Sequence, residues 1–479
     1  MATSQNALLD ALPETGELTE ERFRRMSGAS VGEAGAARVA PQGLPPGPRW
    51  PALVQTAALL RFRHWMHPYL HRTYGDVFTV RLVPRAQPLV FFTRPEHTKE
   101  IFAADPEFFH AGKGNAILGP IMGEHSLLLQ DGADHKRARK LLMPAFNGAA
   151  LREYRFLVTD LAADEAAHWP DGVVLRSLDR MNVLTLEVIL RVVFGVTDES
   201  RLAAMRPRVN ATVDISPAVL LGWGYPRLQR FGPWRRTVQN QAELDRLIYA
   251  EIRERRSAPD LAERSDVLSR LIRHGVEEGD ELSDTELRDQ LITLLLAGHE
   301  TTATSLAWAL YELGRDPELL RRSQAAADGD SAEDDAWLEA VMKESMRLHP
   351  VIPMVVRTLM RPATVGGVDL PRGVTVGPSI IVTHQKSEHH PDPDAFRPER
   401  FLGQNPPTNT WIPFGGGVRR CIGAGFAQME GVAVLREVLR VHDVATPVDD
   451  APKVRNITSV PRDGARVRVS RRDPAHISR

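Results

Sequence analysis

The feature that most constrains this chain is its single cysteine and the place where it stands. Among 479 residues only Cys421 carries a thiol. No intramolecular disulfide can staple the fold, so packing must hold it, and a reducing compartment suits it. The expected location is therefore cytoplasmic. Cys421 closes the run Phe414-Gly415-Gly416-Gly417-Val418-Arg419-Arg420, and Ile422-Gly423 follow. A lone cysteine is usually a small buried hydrophobe. These neighbours point elsewhere. A helix starting just beyond Cys421 aims its free N–H groups at the sulfur and favours the thiolate, a soft, donating ligand for iron. Gly417 and Gly423 permit tight turns and a close approach of backbone to a flat ring. Arg419 can reach a carboxylate of a cofactor, and Phe414 can cover the sulfur.

Composition narrows the classes further. The formal net charge is −1, unlike the basic balance of a general nucleic-acid binder. No run of ~18 apolar residues predicts a transmembrane helix, and the first residues lack the pattern of a secretory signal. The chain is long enough to bury a core and still enclose a cofactor pocket.

The pattern along the chain predicts a mainly α fold with small β-sheets (α+β), as a single large domain. Residues 1–40 read as a weakly ordered polar leader, 41–470 as the domain, and 471–479 as a polar tail. Prolines stiffen Pro41 to Pro51. Val77–Val83 and Leu89–Thr93 read as a hairpin at a sheet edge. Residues 131–350 are mainly helical, with clear periodicity in 151–167, 182–195, 241–254 and 286–313. The segment 351–383 carries β signals, turning at Gly366-Gly367 and Pro371-Arg372-Gly373. Residues 387–420 are irregular, which in a compact domain usually marks function. A last helix spans about 422–441, followed by weak strand signals.

Three further segments combine costly residues with chemistry. Ala297-Gly298-His299-Glu300-Thr301-Thr302 lies midway along the 286–313 helix. Glycine and threonine weaken a helix interior, so the segment calls for space or a hydroxyl there. Ala297 and Thr301 share a face; the small residue leaves room beside the hydroxyl. A threonine bonded back to a helix carbonyl is the plainer alternative. Glu344 and Arg347 stand at i, i+3, which a surface ion pair also explains. His135 and Arg139 stand at i, i+4 on one face, which a solvated charged face also explains.

Taken together, these residues resemble the cytochrome P450 family. Phe414, Gly417, Arg419, Cys421 and Gly423 match its cysteine-ligand loop. Ala297 to Thr302 resemble its oxygen-activating motif. Glu344 and Arg347 resemble its Glu-x-x-Arg pair, with Arg400 in Pro398-Glu399-Arg400-Phe401 as the second arginine that completes a buried triad. The resemblance implies haem b (iron protoporphyrin IX) with Cys421 as the iron ligand. It implies that His135, Arg139, Arg357 and Arg419 bind the haem propionates, and that Phe414, Gly423 and Ala297 line the cofactor. Thr301 and Glu300 are the expected catalytic pair, delivering protons for dioxygen cleavage.

The implied activity is a monooxygenase, an oxidoreductase that inserts one oxygen atom into a hydrophobic lipid-, sterol- or terpenoid-like substrate. Electrons are expected from a ferredoxin and a ferredoxin reductase. Their docking face is expected at Lys136, Arg137 and Lys140. Ala116, Ile117, Leu118, Ile121 and Met122 are expected around the substrate, with Val351 to Val355 beside the ring and 214–234 as a lid. A peroxide-driven haem-thiolate enzyme and a gas-sensing haem protein are the rivals.

Overall fold

The computed structural model describes residues 43–215, 219, 227–403 and 406–472. Its axis is the helix Asp284–Leu313. Ser283 and Glu286 start it with a reciprocal capping box, each side chain meeting the other's backbone N–H. That arrangement satisfies donors which the first turn leaves open. Leu287, Leu291, Leu306 and Leu310 are fully buried. Burying such a side chain is worth ~1.5–3 kcal/mol, so packing outweighs the poor helix formers in the middle. The partner is the helix Ser177–Phe194. A Cβ on Gly298 would lie 2.7 Å from Cδ1 of Ile189 on that helix. Gly298 thus lies close against the neighbouring helix.

Four small sheets flank the helices. β1 (Val77–Leu82) and β2 (Gln87–Phe92) form the expected edge hairpin, with Val77 opposite Phe92. β2 then runs parallel to β8 (Thr375–Pro378), followed by antiparallel β5 (Arg357–Leu359) and β3 (Phe109–His110). β6 (Ala363–Val365) and β7 (Val368–Leu370) turn at Gly366-Gly367 as expected. β4 (Val173–Arg176) and β9 (His442–Ala445) flank β12 (Arg466–Arg471). β10 (Pro452–Arg455) and β11 (Thr458–Pro461) make the last hairpin.

The four periodic stretches all lie in helices: Gly148–Ala167, Ser177–Phe194, Gly232–Arg256 and Asp284–Leu313. The last expected helix is Ala424–Val441. Two readings are corrected. Ile380–His384 is a helical turn, not part of a β segment; the Ser379 hydroxyl accepts from the Val382 N–H. Ile380, Ile381 and Val382 are buried on every side, and an apolar run of that kind has no period to separate helix from strand. β4 interrupts the helical half because it pairs with β12, nearly 300 residues away.

Candidate functional site

The cysteine loop is held from below by a buried charge cluster. The helix Ala332–Leu348 presents Glu344 and Arg347, both without solvent exposure. Arg347 donates through Nε to Glu344 Oε2 at 2.7 Å and through Nη2 to Oε1 at 2.8 Å. Its remaining N–H groups reach the carbonyls of His384, Pro393 and Ala395. Arg400 Nε donates to Glu344 Oε1 at 3.1 Å. The sequence pair is therefore a buried triad that gathers the irregular segment after 387. From this helix the Lys343 carbonyl accepts from Trp411 Nε1 at 3.2 Å. Trp411 stands edge-on to Phe414 at 5.9 Å between centroids, and the Cys421 N–H closes the loop on the Phe414 carbonyl at 2.9 Å.

Gly417 has φ +64, and a Cβ there would lie 2.0 Å from the Phe102 carbonyl oxygen. Both its conformation and its contact require glycine. Gly423 has an ordinary φ, and the nearest atom to a Cβ on it is Cys421 Sγ at 4.0 Å.

Cys421 has exposed surface, yet enough protein surrounds it that burial raises its thiol pKa. The two observations agree if the thiol faces an interior void. The Gly423 N–H, Arg139 and Arg420 oppose the rise and favour the thiolate. The central helix opens in the same way. Ala297 is exposed and Thr301 half-exposed, while Ile292, Leu295, Ala303 and Leu306 are fully buried. Thr301 Oγ1 donates to the Ala297 carbonyl at 2.7 Å, so the back-bonded threonine and the open face occur together. Thr302 is buried and donates to the Gly298 carbonyl at 3.2 Å.

His135, Arg139, Arg357 and Arg419 converge. His135 is buried, and burial together with Arg419, Arg139 and Arg357 pushes its imidazole down to about 3. Burial lowers Arg357 to about 10, opposed by Asp131. Its described hydrogen bond goes to the Val356 carbonyl at 2.8 Å. Arg419 is also lowered to about 10 by burial. It is already engaged by the Leu127 and Gln130 carbonyls and by Asp131. Asp131 also accepts from the Gly112 and Lys113 amides. Of these four basic side chains, Arg419 pairs with Asp131 and Arg357 feels its charge, while Asp131 is itself heavily used. A buried cation without a partner is unfavourable, so the cluster is built to receive further anionic groups. Haem b, with two carboxylates and an iron that takes a thiolate, fits these residues.

Glu300 is buried, and burial raises its carboxyl to about 7. Several anchors were not foreseen. Arg288 donates to the Ile121 and Met122 carbonyls, Asp289 accepts from the His125 N–H, and Gln290 accepts from the Leu127 N–H. These three consecutive side chains pin the loop over the site to the central helix. Glu430, on the cysteine helix, is fully buried and raised to about 8 by burial. The nearby Thr302 hydroxyl opposes that rise, although neither Glu430 oxygen makes a well-formed hydrogen bond among the described residues.

Of the expected substrate residues, Leu118, Ile121 and Met122 are buried, and Ile117 is exposed. Ile121 packs with Ile215 and Val219, next to Trp234 and Leu296. Residues 216–218 and 220–226 of the expected lid lie outside the described residues. The docking cations require correction. Arg137 pairs with Asp280 at 2.7 Å and Glu286 at 2.5 Å, and Lys140 pairs with Glu278. Lys136 and Arg420 remain exposed, with no ion pair among the described residues.

Comparison with known proteins agrees with this geometry. The cytochrome P450 family profile matches residues 41–467. A Mycobacterium tuberculosis protein named cytochrome P450 135A1 is 51% identical over 430 residues, 89% of this chain and 95% of its own length. A Mycobacterium bovis protein named cytochrome P450 135B1 is 41% identical over 432 residues, 89% of this chain and 91% of its own. Among solved structures, retinoic acid-bound cyanobacterial CYP120A1 superposes with a TM-score of 0.78 at 24% identity, covering 90% of this chain and 100% of that one. These matches set the class as haem-thiolate monooxygenases, oxidoreductases that carry haem b. The chain belongs to the cytochrome P450 family. No helix among the described residues is long and apolar enough to cross a membrane.

Proposed function

We propose that Cys421 supplies the thiolate for haem b, within a haem domain spanning 41–470. The chain then uses dioxygen to hydroxylate a hydrophobic substrate, with electrons from a separate ferredoxin and its reductase. The observation that carries this is the grouping of Arg139, Arg357 and Arg419 around the buried His135, with Arg139 also acting on the accessible thiol of Cys421.

Bound there, haem b supplies the redox chemistry that activates dioxygen. The chain's residues do the rest. The Gly423 N–H, Arg139 and Arg420 hold Cys421 toward its ionised form. His135, neutral at pH 7, donates or accepts a hydrogen bond while the arginines bring charge. Thr301 presents its hydroxyl on the open face of the central helix and can trade its bond to the Ala297 carbonyl for one to a reacting oxygen. Glu300, near its midpoint at neutral pH, can both take a proton and release one. The apolar cluster of Ile121, Ile215, Val219 and Trp234 favours a lipid-, sterol- or terpenoid-like substrate. Lys136 and Arg420 offer free positive charge to an acidic electron donor.

The test is optical titration of the haem-loaded protein with a panel of such compounds. Binders are then incubated with a bacterial ferredoxin, its reductase, NAD(P)H and dioxygen. Hydroxylated product that depends on every component is expected. Turnover with hydrogen peroxide but not with the ferredoxin system would overturn the reading.

A further inference from the structure

The tip of the β10–β11 hairpin, Arg455-Asn456-Ile457-Thr458, is gripped by three separate helices. Arg63, buried in the helix Ala52–Tyr74, donates to the Ile457 carbonyl at 2.9 Å and the Asn456 carbonyl at 2.8 Å. Asn456 Nδ2 donates to the carbonyl of Val213, the last residue of the helix Glu199–Val213, at 2.6 Å. Arg455 faces the third helix. Its Nη2 pairs with Asp214, while its Nη1 lies 3.3 Å from Glu300 Oε1. Side-chain exposure falls along this series, from 64% at Asp214 to 25% at Arg455 and 6% at Glu300. One guanidinium therefore spans the distance from solvent to the buried acid. Contact with Glu300 is an ion pair without hydrogen-bond alignment, for Oε1 has no hydrogen-bond partner among the described residues. Such a contact is adjustable, while the backbone around it is fixed by Arg63 and Asn456.

The groups acting on Glu300 come from each neighbouring element. Arg455 on β10 favours its charged form, and so does the Thr458 hydroxyl on β11. Asp214, at the end of its helix, favours the neutral form. His299, beside it on the central helix, is pushed down to about 4 by burial and carries no charge at neutral pH. A guanidinium keeps its protons throughout, so Arg455 orients and charges its neighbours rather than passing a proton itself.

We propose that Arg455 is a positioning residue for the oxygenation reaction: shared between the exposed Asp214 and the buried Glu300, it sets the charge of Glu300. The proposal rests on the reading of Glu300 as the proton-relay acid. Infrared difference titration of the haem-loaded, full-length protein tests it, with Glu300→Gln identifying the Glu300 carboxyl band. Carbon monoxide spectra check that every variant keeps its haem site. Arg455→Leu should raise the Glu300 midpoint by at least one pH unit, about a tenfold tighter hold on the proton. Arg455→Lys should hold the midpoint near the parent value. Asp214→Asn, at an exposed position, should lower it, which a purely structural hairpin would not do. If Glu300→Gln turns over as fast as the parent does, the relay reading fails, whichever way the midpoints move. An unmoved midpoint in Arg455→Leu, or shifts of one sign in Arg455→Leu and Asp214→Asn, would overturn the role of Arg455.

Discussion

Replacing Arg357 by methionine should affect the haem-free and haem-loaded proteins in opposite directions. Burial pushes the Arg357 guanidinium from its ordinary range down to about 10. Each tenfold change in proton affinity is about 1.4 kcal/mol, so two and a half such factors come to about 3 kcal/mol. The sign follows from the direction. A base whose pKa is depressed by folding is charged at neutral pH in both states, and its charge then opposes folding. Methionine keeps most of the apolar stem and removes that charge. The haem-free variant should therefore be more stable than the parent by up to about 3 kcal/mol. On the proposed reading the same guanidinium would hold a propionate in the haem-loaded protein, and losing a buried charge-assisted bond there costs about 1.5–3 kcal/mol. Urea denaturation of both forms, with haem transfer to apomyoglobin as a second readout, measures both effects. Faster haem loss combined with a more stable haem-free protein is expected. A haem-free variant less stable than the parent, with unchanged haem retention, would refute the assignment of Arg357 to an anion site.

Glu344→Gln leaves Arg347 and Arg400 facing a neutral amide in a site where Glu344 and Arg347 have no solvent exposure. Breaking such a pair should destabilise by ~3–5 kcal/mol, seen as a lower denaturation midpoint and poor haem incorporation. Thr301→Ala should release more hydrogen peroxide and less product per NAD(P)H consumed. Thr302→Ala, whose hydroxyl is buried toward Glu430, should stay coupled, and a reversed pattern would exchange their roles. Reversing the charge of Lys136 should raise KM for ferredoxin at low salt and leave substrate affinity unchanged. A KM that does not move would remove this docking face.

Local signals were legible in the sequence. The cysteine loop, the helix periodicities and the spacing of Glu344 and Arg347 all lie within short windows of sequence. What escaped depends on distant partners. Asp131 could be read as a helix-starting residue, yet it holds Arg419 and two amides about 20 residues upstream. Arg137 and Lys140 looked free because the acids that pair with them, Asp280, Glu286 and Glu278, lie about 140 residues further on. Arg455 carried no local signal at all, since its meaning comes from Asp214 and Glu300 on two other elements. Gly298 was legible as an unusual helix glycine, but its neighbour, Ile189 on the next helix, was not. Ser379 turned an apolar β-like run into a helix through one capping bond.

The central claim is that Cys421 ligates the haem iron as a thiolate, and carbon monoxide difference spectroscopy of the dithionite-reduced protein tests it most directly. The parent should show the red-shifted band characteristic of thiolate ligation. Cys421→His should lose that band and all monooxygenase turnover while still binding haem through His135, Arg139, Arg357 and Arg419. A Cys421→His protein that kept both the band and the turnover would contradict the account.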